Sequence, residues 1–559
     1  MTVGIIRPVS TAPATPWWRT GLLYQVYPRS FADGNGDGVG DLAGLLAHLD
    51  HLEWLGVDGI WLSPVTVSPK ADWGYDVADY CDVDPDYGTL AELDRLVELA
   101  GRRGIRVLLD LVPNHTSDRH RWFVDARSSP QAAHRSWYVW ADPDADGGPP
   151  NNWVSTFGGP AWTLDEATGQ YYLHNFLPQQ PDLDWWCPDV RRAFDEILAF
   201  WFDRNVAGFR IDVCHMIVKD AELRDNPPAE PGDPFLWQMF GQRWLYNADR
   251  PEVHDVLRHW RTVADRYDPP RLLLGETNVD TVEALAPYYG NGRDELDLAF
   301  NFCFVESPFE AAALASVVER TEELLPPGAW PVWTASNHDV SRLATRWAGG
   351  DPSTTRLALL MLLTLRGTPV LYQGDEIGLT DGTVEPQQLL DPVGVRFWPA
   401  YRGRDPARTP MPWRPGPGGG FSPAGVVTWL PMTDPDACNV EDQRADRGSL
   451  LWLVHDVVAL RRRTPDLVDG DYEALPAPEG AWVYRRGSTT TVALNLSDAP
   501  VVVGGAAGAV TGTITGTVAV ATDRSRDGEA VAGRLRLGPW EGAVVIRGDG
   551  DRALFGAAS

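Results

Sequence analysis

The sequence predicts an α/β fold: a (β/α)8 TIM barrel with an inserted subdomain after strand 3 and an antiparallel β domain at the C-terminus. Three observations lead to this prediction. Short apolar strands alternate with helical segments eight times, a long Trp- and Tyr-rich segment follows the third strand, and β-branched, Gly-punctuated segments replace the alternation near the end. A chain of 559 residues is long enough to build more than one domain.

The eight predicted barrel strands share a short apolar run bounded by turn-forming residues. They span residues 22–28, 59–64, 105–112, 208–213, 272–276, 296–302, 332–337 and 369–373. Predicted helices at 42–55 and 91–103 connect the first three strands at intervals typical of parallel βα units. In such a barrel the active site belongs at the C-terminal ends of the strands.

The predicted domain boundaries follow changes in composition. Residues 115–185 are too many for a simple βα loop and are rich in Trp, Tyr, Asn, Gly and Pro, which favours an inserted subdomain over the barrel mouth. A helix at 450–463 ends the barrel pattern. The predicted units are a disordered-looking extension at 1–16, the barrel at 17–114 and 186–465, the subdomain at 115–185, and the β domain at 466–559, with strands at 481–484, 491–494, 516–520 and 542–546.

Composition and charge narrow the possible partners. A formal net charge of −29 and a pI near 4.7 argue against binding nucleic acid through phosphate neutralisation. They fit a soluble protein that acts on neutral or cationic small molecules. Most of the 25 Trp residues are expected in the core, although flat aromatic rings also suit the apolar faces of sugars.

The sequence also predicts where the protein resides. The start has no basic segment followed by an apolar stretch and a small-residue cleavage site, so no secretory signal is predicted. No apolar run is long enough to span a bilayer, and therefore no membrane partner is expected. Five scattered cysteines without metal-ligand spacing predict free thiols in a reducing cytoplasm. We expect a monomer or homodimer.

An acidic, Gly-rich loop at residues 33–41 predicts a structural cation site. Side-chain oxygens alternate with glycines, which permit the backbone curvature needed to gather them around Ca²⁺ or Mg²⁺. The alternative interpretation is a solvated acidic turn without a metal. The oxygen-bearing side chains belong to Asp33, Asn35, Asp37 and Asp41.

Charged and polar residues collect where the predicted strands end. In the segment 208–213, Arg210 and Asp212 lie two residues apart and therefore on one face of the strand. Taken alone, this pair could be a buried ion pair without chemistry. The other strand ends favour a chemical role, because they bring further groups to the same rim: Asp110, Asn114, His115, Glu276, Asn337, His338 and Asp339.

Carboxylates in a Trp-rich cleft indicate cleavage of a glycosidic bond, which needs one ionised carboxylate and one carboxylic acid. An Asp212 held by Arg210 stays ionised, as a nucleophile must. Glu276 follows an apolar strand, so partial desolvation is expected to raise its pKa towards that of a general acid. Asp339 could stabilise the positive transition state.

These segments resemble the α-amylase superfamily of glycoside hydrolases, and most of all its oligo-1,6-glucosidase and α-glucosidase branch. The resemblance extends from about residue 17 to 413. It is carried by the segments at 110–115, 208–212, 275–277 and 336–339, by 180–185 in the inserted segment, and by 403–413. Each segment is short, but in this order on eight βα units they are highly specific.

The resemblance implies a retaining double displacement with Asp212 as nucleophile, Glu276 as acid/base and Asp339 as stabiliser of the transition state. It implies no organic cofactor. It further implies that the terminal glucose is held by Tyr75, Asp76, His115, Arg210, His338 and Arg404, beside the cleft aromatics Phe157 and Phe176. The branch's structural Ca²⁺ or Mg²⁺ would be bound by Asp33, Asn35, Asp37, the Val39 carbonyl and Asp41.

Departures from the branch pattern leave alternatives open. Pro412 stands where Gln is usual, and the segment after Val213 is not the common one. Val directly after the nucleophile, as at Val213, often accompanies α-1,6 preference in this branch. A single position does not decide the linkage, and both α-1,4 and α-1,6 linkages remain candidates. The main prediction is an exo-acting α-glucosidase on short oligosaccharides or α-glucosides. The alternatives are an α-glucosyl transferase or trehalose synthase-like isomerase, and a non-catalytic binding relative.

Overall fold

A computed structural model describes residues 15–505 and 513–548. The extension predicted at 1–16 lies outside the described residues except for its last two. Eight parallel strands form the central sheet, as predicted. They are β1 Leu23–Val26, β2 Gly59–Leu62, β3 Arg106–Leu111, β4 Gly208–Ile211, β5 Leu272–Gly275, β6 Leu298–Ala299, β7 Val332–Thr334 and β8 Thr368–Tyr372.

Neighbouring strands pair in the order β6-β5-β4-β3-β2-β1-β8-β7. In register, Leu23 of β1 lies opposite Gly59 on one side and Val370 on the other. A single parallel bridge between Phe300 and Val332 joins the two remaining edges, so the sheet is a nearly closed barrel. The carboxyl ends of all eight strands therefore face one rim, where an active site is expected.

Helices surround this barrel. In Leu90–Arg102, Thr89 and Glu92 form a capping box, and the buried side chains of Leu93, Leu96 and Ala100 recur at helical spacing on the face towards the strands. The α-helices are Trp17–Thr20, Leu42–Ala47, Leu49–Leu55, Leu90–Arg102, Arg121–Ala126, Pro188–Asp203, Phe235–Phe240, Val253–Ala264, Val282–Leu285, Phe302–Glu306, Ala311–Leu324, Leu343–Arg346, Pro352–Thr364, Pro392–Phe397, Val440–Ala445, Leu450–Arg463 and Pro465–Asp469.

Three predicted elements differ in extent. The helix predicted at 42–55 is two helices, interrupted at His48. The strand predicted at 296–302 is reduced to β6, because Asn301 caps a new helix by accepting a hydrogen bond from the backbone N–H of Phe304. The strand predicted at 208–213 ends at Ile211, and Val213 has a left-handed backbone with φ of 35°.

A three-stranded antiparallel sheet lies in the chain between β3 and β4, with strands Trp140–Ala141, Trp162–Asp165 and Gln170–Leu173. A buried lysine ties this segment to the loop after β4. The ammonium of Lys219 lies 2.8 Å from Asp182 Oδ2 and donates to Asn114 Oδ1 at 2.5 Å. The inserted segment is therefore fixed against the strand ends from which the catalytic candidates arise.

A seven-stranded antiparallel sheet follows the last barrel helices. Its strands are Tyr472–Leu475, Ala481–Arg486, Thr490–Asn495, Val501–Gly504, Ile514–Ala521, Ala530–Leu537 and Gly542–Ile546. It packs on the buried helix Pro352–Thr364, where Thr364 Oγ1 and Tyr484 Oη lie 2.6 Å apart. Within the described ranges, no helix is both long and apolar enough to cross a membrane.

Candidate active site

A cavity of about 950 Å³ opens at the C-terminal ends of the barrel strands. Eight of the predicted site residues line it: Tyr75, His115, Phe157, Phe176, Asp212, Glu276, Asp339 and Arg404. Arg210 and His338 lie just beneath its surface and are almost completely buried. The fold thus brings these residues to one place, although they lie far apart in the sequence, from Tyr75 to Arg404.

Arg210 is the centre of the cavity floor. Its Nη1 donates to Asp212 Oδ1 at 2.7 Å and to Asp110 Oδ1 at 2.8 Å. Its Nη2 lies 2.7 Å from Glu276 Oε2. The guanidinium also lies over the ring of Trp61, 4.9 Å from the centroid. One cation is therefore shared by three carboxylates from the ends of β3, β4 and β5.

This sharing changes the expected electrostatics of the nucleophile candidate. Arg210 does lower the pKa of Asp212, but burial and the neighbouring carboxylates outweigh it, so the pKa of Asp212 is well above its ordinary value. Burial likewise raises the pKa of Asp110 to about 6. The ion pair alone predicted the opposite direction for Asp212. Three acids thus share a single cation at the cavity floor.

The backbone turn after β4 brings the acid/base candidate close to the nucleophile candidate. The N–H of Val213 donates to Glu276 Oε2 at 2.9 Å. Val213 adopts its left-handed backbone at this point, which is unfavourable for a β-branched residue. Strained backbone of this kind persists where the surrounding structure fixes it, and it is concentrated at functional sites.

A chain of hydrogen bonds fixes the third strand-end carboxylate, Asp110. Gln25 Nε2 and His338 Nδ1 are 2.7 Å apart, His338 Nε2 and Tyr75 Oη are 2.6 Å apart, and Tyr75 Oη donates to Asp110 Oδ2 at 3.0 Å. With the Gln25 amide as donor, His338 is neutral and carries its proton on Nε2. Burial lowers the pKa of His338 well below its ordinary value, which is consistent with this neutral form.

Asp339 has an environment unlike that of the floor. Arg408 Nη2 donates to its Oδ1 at 2.7 Å, and Arg404 Nη1 donates to the same oxygen at 3.3 Å. With the guanidiniums of Arg404, Arg408 and Arg210 nearby, the pKa of Asp339 lies well below its ordinary value despite burial. Its side chain is 28 % exposed to the cavity. Asp339 is therefore a permanent negative charge that faces the cavity.

Asp76 is the one predicted glucose-binding residue that the structure does not bring to the cavity. It is completely buried, and its carboxylate accepts hydrogen bonds from Ser68 Oγ and from the backbone N–H groups of Ala71 and Asp72. These bonds make Asp76 the organiser of a tight turn. Asp72, four residues earlier, lines the cavity instead.

Asp72 is held by Arg404, whose Nη2 donates to its Oδ1 at 2.7 Å. Arg404 also donates to Asp391 Oδ1 from Nε at 3.0 Å, and its guanidinium lies 5.2 Å from the centre of the Phe157 ring. Burial raises the pKa of Asp72 to about 6, against the opposing effect of Arg404. Sequence reasoning missed Asp72 and Asp391; only the proximity of Asp72 to Tyr75 could have suggested the first.

The inserted segment contributes an aromatic wall. The rings of Phe157 and Phe176 meet edge to face with centroids 5.4 Å apart, and Phe176 lies 5.1 Å from the ring of His115. His115 Nε2 lies 3.0 Å from the carbonyl oxygen of Tyr75. Burial lowers the pKa of His115 to about 4, so its ring is neutral at pH 7. This wall offers apolar faces next to a few fixed polar groups, as small-molecule sites do.

The acidic loop at 33–41 lies away from this cavity and is internally hydrogen-bonded. Asp33 accepts from the backbone N–H of Gly36 at 2.6 Å and of Gly38 at 2.9 Å. Asp41 caps the helix Leu42–Ala47 by accepting from Gly44 N–H at 2.7 Å. Much of the carboxylate capacity of the loop is thus already used by its own backbone.

The loop supplies the oxygen donors that a hard cation prefers, from Asp33, Asn35, Asp37, Asp41 and the Val39 carbonyl. Their geometry does not form a finished site, however. Across the described ranges, no three His, Cys, Asp or Glu side chains converge in an arrangement that could hold a metal ion.

Comparisons with known proteins agree with this geometry. The family model described as "Alpha amylase, catalytic domain" matches residues 25–470. A probable alpha-glucosidase of Rhizobium meliloti (strain 1021) is 43 % identical over 475 residues, covering 82 % of this chain and 85 % of the relative. An oligo-1,6-glucosidase of Heyndrickxia coagulans is 36 % identical over 531 residues, covering 87 % and 93 %.

Several solved structures also superpose closely on this chain. A crystal structure of an alpha-glucosyl transfer enzyme superposes with a TM-score of 0.87 at 39 % identity, covering 96 % of this chain and 100 % of that one. The trehalulose synthase MutB from Pseudomonas mesoacidophila MX-45 superposes with a TM-score of 0.86 at 30 % identity, with the same coverage.

Proposed function

This chain belongs to the alpha-amylase family of glycoside hydrolases, and on that premise we propose that it is a retaining, exo-acting α-glucosidase. Its substrates are short oligosaccharides or α-glucosides with a terminal α-linked glucose, joined through α-1,4 or α-1,6 bonds. The observation that carries this proposal is the cavity floor, where Arg210 holds Asp110, Asp212 and Glu276 at the ends of three adjacent strands.

We assign the two displacement steps to two of these carboxylates. Asp212 attacks the anomeric carbon and forms a glucosyl ester, while Glu276 gives its proton to the departing oxygen. In the second step Glu276, now ionised, takes a proton from water, whose oxygen replaces the ester. The hydrogen bond from the N–H of Val213 to Glu276 supports this division, because it holds Glu276 beside Asp212, the residue before Val213.

The spacing of the floor supports retention of configuration. The two terminal nitrogens of one guanidinium contact Asp212 and Glu276 at 2.7 Å each, so Arg210 bridges the two carboxyl groups. Retaining enzymes place these groups about 5–5.5 Å apart, whereas inverting enzymes need roughly 6.5–9.5 Å to admit a water. We propose the shorter, retaining separation for Asp212 and Glu276, because one side chain bridges both.

We assign the terminal glucose to the pocket between the floor and the Asp72–Arg404 pair. Charged groups that are held in place can bind sugar hydroxyl groups without reorganisation. Arg404 and Arg408 keep Asp339 ionised. Its negative charge stabilises the positive charge that develops on the sugar ring in the transition state. Tyr75, whose hydroxyl donates to Asp110, lines the same pocket.

A second candidate keeps the glucosyl ester but passes glucose to a sugar or alcohol instead of water. It is favoured by the names of the structural neighbours, an alpha-glucosyl transfer enzyme and a trehalulose synthase. Incubation with maltose as sole substrate separates the two. Hydrolysis gives glucose alone, whereas transfer gives trisaccharides and isomerisation gives a new disaccharide.

The proposal is tested with a 2-deoxy-2-fluoro or 5-fluoro α-glucosyl fluoride, which slows the second step and traps the ester. Intact-mass measurement should show one added fluoroglucosyl unit, and peptide mapping should place it on Asp212. An absent adduct, together with no turnover of maltose, isomaltose, trehalose, sucrose or nigerose, would support a non-catalytic binding relative instead.

We also propose a cytoplasmic location, supported by five free cysteine thiols.

A further inference from the structure

A second cavity, of about 160 Å³, lies at the end of the barrel opposite the catalytic rim. Two of its lining residues are at the starts of strands: Arg106 is the first residue of β3, and Arg271 directly precedes β5. Strand β4 lies between these two strands in the sheet, and Ala207, just before it, also lines the cavity. The cavity therefore opens at the N-terminal ends of β3, β4 and β5, away from every catalytic candidate.

The charged lining of this cavity is entirely cationic. Arg106 and Arg271 line it, and no acidic side chain among the described residues does. The chain as a whole has a formal net charge of −29. The local charge of the cavity is therefore opposite to that of the molecule, and it favours an anion.

Neither of these arginines is neutralised by a carboxylate within the part of the chain that the structure describes. Arg106 Nη1 donates to the carbonyl oxygen of Gly104 at 3.4 Å, and Arg271 Nη2 donates to that of Phe202 at 3.1 Å. Among the same residues, the buried Nε of Arg271 has no hydrogen-bond partner. Burial lowers the pKa of both guanidiniums, because it disfavours their charged form.

The acids whose charges act on these arginines already have other partners. Asp58, which acts on Arg106, accepts hydrogen bonds from a backbone N–H at 2.9 Å and from a different arginine at 2.7 Å. Asp203, which acts on Arg271, accepts a hydrogen bond from a tyrosine hydroxyl at 2.9 Å. Both guanidiniums therefore keep N–H donors that can bind a ligand.

Most of the remaining lining is apolar. The guanidinium of Arg106 lies over the ring of Trp17, 4.9 Å from its centroid. Cavities that hold drug-sized ligands measure roughly 300–1,000 Å³, so this one is suited to a smaller molecule. The hydrocarbon of the lining comes from Val97, Ile105, Val107, Ala207, Pro269 and Pro270.

We propose that this cavity is a binding site for a small carboxylate with an apolar body of about the size of benzoate. The carboxylate oxygens accept hydrogen bonds from Arg106 and Arg271, whose planar guanidiniums match the geometry of a carboxylate. The exposed amide of Asn205 supplies a further donor. The apolar body packs against Trp17 and the hydrocarbon lining. This site is independent of the proposed glucosyl ester, and its occupation leaves glucoside turnover unchanged.

The test is a ligand-observed NMR titration of the full-length protein with benzoate at low ionic strength, where screening is weak. We expect saturable binding with a Kd in the millimolar range, as the few non-hydrogen atoms of benzoate allow. Benzamide has the same shape without the charge, and acetate lacks the apolar body, so each should bind at least about tenfold more weakly. Benzoate that binds no more tightly than benzamide overturns the proposal.

Variants locate the site. Arg271→Met and Arg106→Met should each weaken benzoate binding about tenfold, and Arg271→Lys, which keeps the charge, should retain part of it. Arg102→Met is the matched control, because Arg102 is an exposed arginine that ends the helix Leu90–Arg102 and does not line the cavity. All four variants should retain wild-type turnover of p-nitrophenyl α-glucoside, which also verifies their folding.

Two outcomes would overturn the assignment of the site. One is unchanged benzoate affinity in Arg271→Met and Arg106→Met. The other is competitive inhibition of glucoside turnover by benzoate with the same inhibition constant in the wild type and in both variants, because benzoate would then bind in the catalytic cavity.

Discussion

Two buried arginine environments in this molecule have opposite electrostatics. Arg210 in the cavity floor is shared by three carboxylates, which raise its pKa well above the ordinary value. Arg461 and Arg486, between the barrel and the C-terminal sheet, form no ion pair within the described residues and are instead bonded to backbone carbonyl oxygens. Burial lowers the pKa of Arg461 to about 9 and that of Arg486 to about 10.

The carbonyls at this junction belong largely to one helix end. Arg461 Nη1 donates to the carbonyl oxygens of Leu363 and Leu365 at 3.1 and 2.9 Å, and Arg486 Nη1 donates to that of Thr364 at 2.7 Å. The last carbonyls of a helix have no partner within it and carry partial negative charge. These arginines therefore complete the structure of Pro352–Thr364, and their role is to join the two parts of the chain.

The difference between the two regions shows how buried charge can serve structure or chemistry. At the junction, dipoles that already belong to the fold neutralise each cation. In the floor, formal negative charges exceed the positive one, so the native state retains an unfavourable interaction. Such an excess is typical of a site selected for reaction and not for stability.

The largest expected effect comes from Asp212→Asn. We expect kcat on p-nitrophenyl α-glucoside to fall by roughly 10⁴-fold, because the nucleophile is lost. Removing one acid from an overcrowded group should leave the melting temperature at pH 8 unchanged or raised. Asp50→Asn, at an exposed position, is the control and should change neither quantity. A variant that loses both activity and stability would contradict the view of the floor as a site of excess charge.

At the junction the effect should fall on stability alone. Arg461→Met leaves buried carbonyl oxygens without a donor, and we expect a loss of about 3 kcal/mol in the free energy of unfolding. The kcat/KM of the folded protein should stay within about twofold. The neighbouring Arg462→Met is the control, because Arg462 is half exposed and pairs with Asp58 at the surface. Urea unfolding and steady-state kinetics measure the two effects.

The two regions should also differ in their response to pH. The pKa of Asp110 rises from 3.8 to about 6 on folding, so its contribution to stability is complete below about pH 4 and is lost as pH rises through 6. Asp110→Asn should therefore gain stability relative to the wild type between pH 4 and 7, by at most about 3 kcal/mol.

The effect of Arg461→Met should not depend on pH between 5 and 8. The pKa of Arg461 is lowered, so the folded state binds fewer protons than the unfolded state only above about pH 9. Urea unfolding at several pH values, with wild type and both variants in the same buffers, checks both expectations. A pH-dependent difference for Arg461→Met in this range would show that the junction contains a titrating partner.

The smallest effect concerns the acidic loop at 33–41, which we propose as a structural Ca²⁺ or Mg²⁺ site. Addition of a chelator should lower the melting temperature by a few degrees and change kcat by less than about twofold, because the loop lies away from the floor. Asp37→Ala should abolish the chelator effect. If elemental analysis of protein purified without chelator finds neither metal, the loop is an acidic turn.

Sequence periodicity was sufficient to predict the barrel, since strands β1–β5, β7 and β8 lie within or beside the predicted ranges. The predicted extent of β4 was less accurate, because the strand ends earlier than the pattern indicates. The alternation of apolar residues continued through Val213, but the chain turns after Ile211 and the N–H of Val213 bonds to Glu276. That bond joins positions 63 residues apart and leaves no signal in the local pattern.

The floor of the site could be predicted because its residues come directly from strand ends. The rest depends on loops. Asp76 and Asp72 lie in one short motif, yet one supports a turn and the other faces the cavity, and only the turn geometry distinguishes them. The partners of Arg404 could not be predicted, because Asp72 is 332 positions away and its contact depends on how two loops meet.

The charge surplus in the floor has a practical consequence for inhibition. A small protonated amine that fits the glucose pocket would balance the negative charge that Arg210 alone leaves unbalanced. Protonated iminosugars should therefore bind more tightly than neutral sugars of the same shape. Amine buffers such as Tris should act as competitive inhibitors, and rate measurements belong in amine-free buffers.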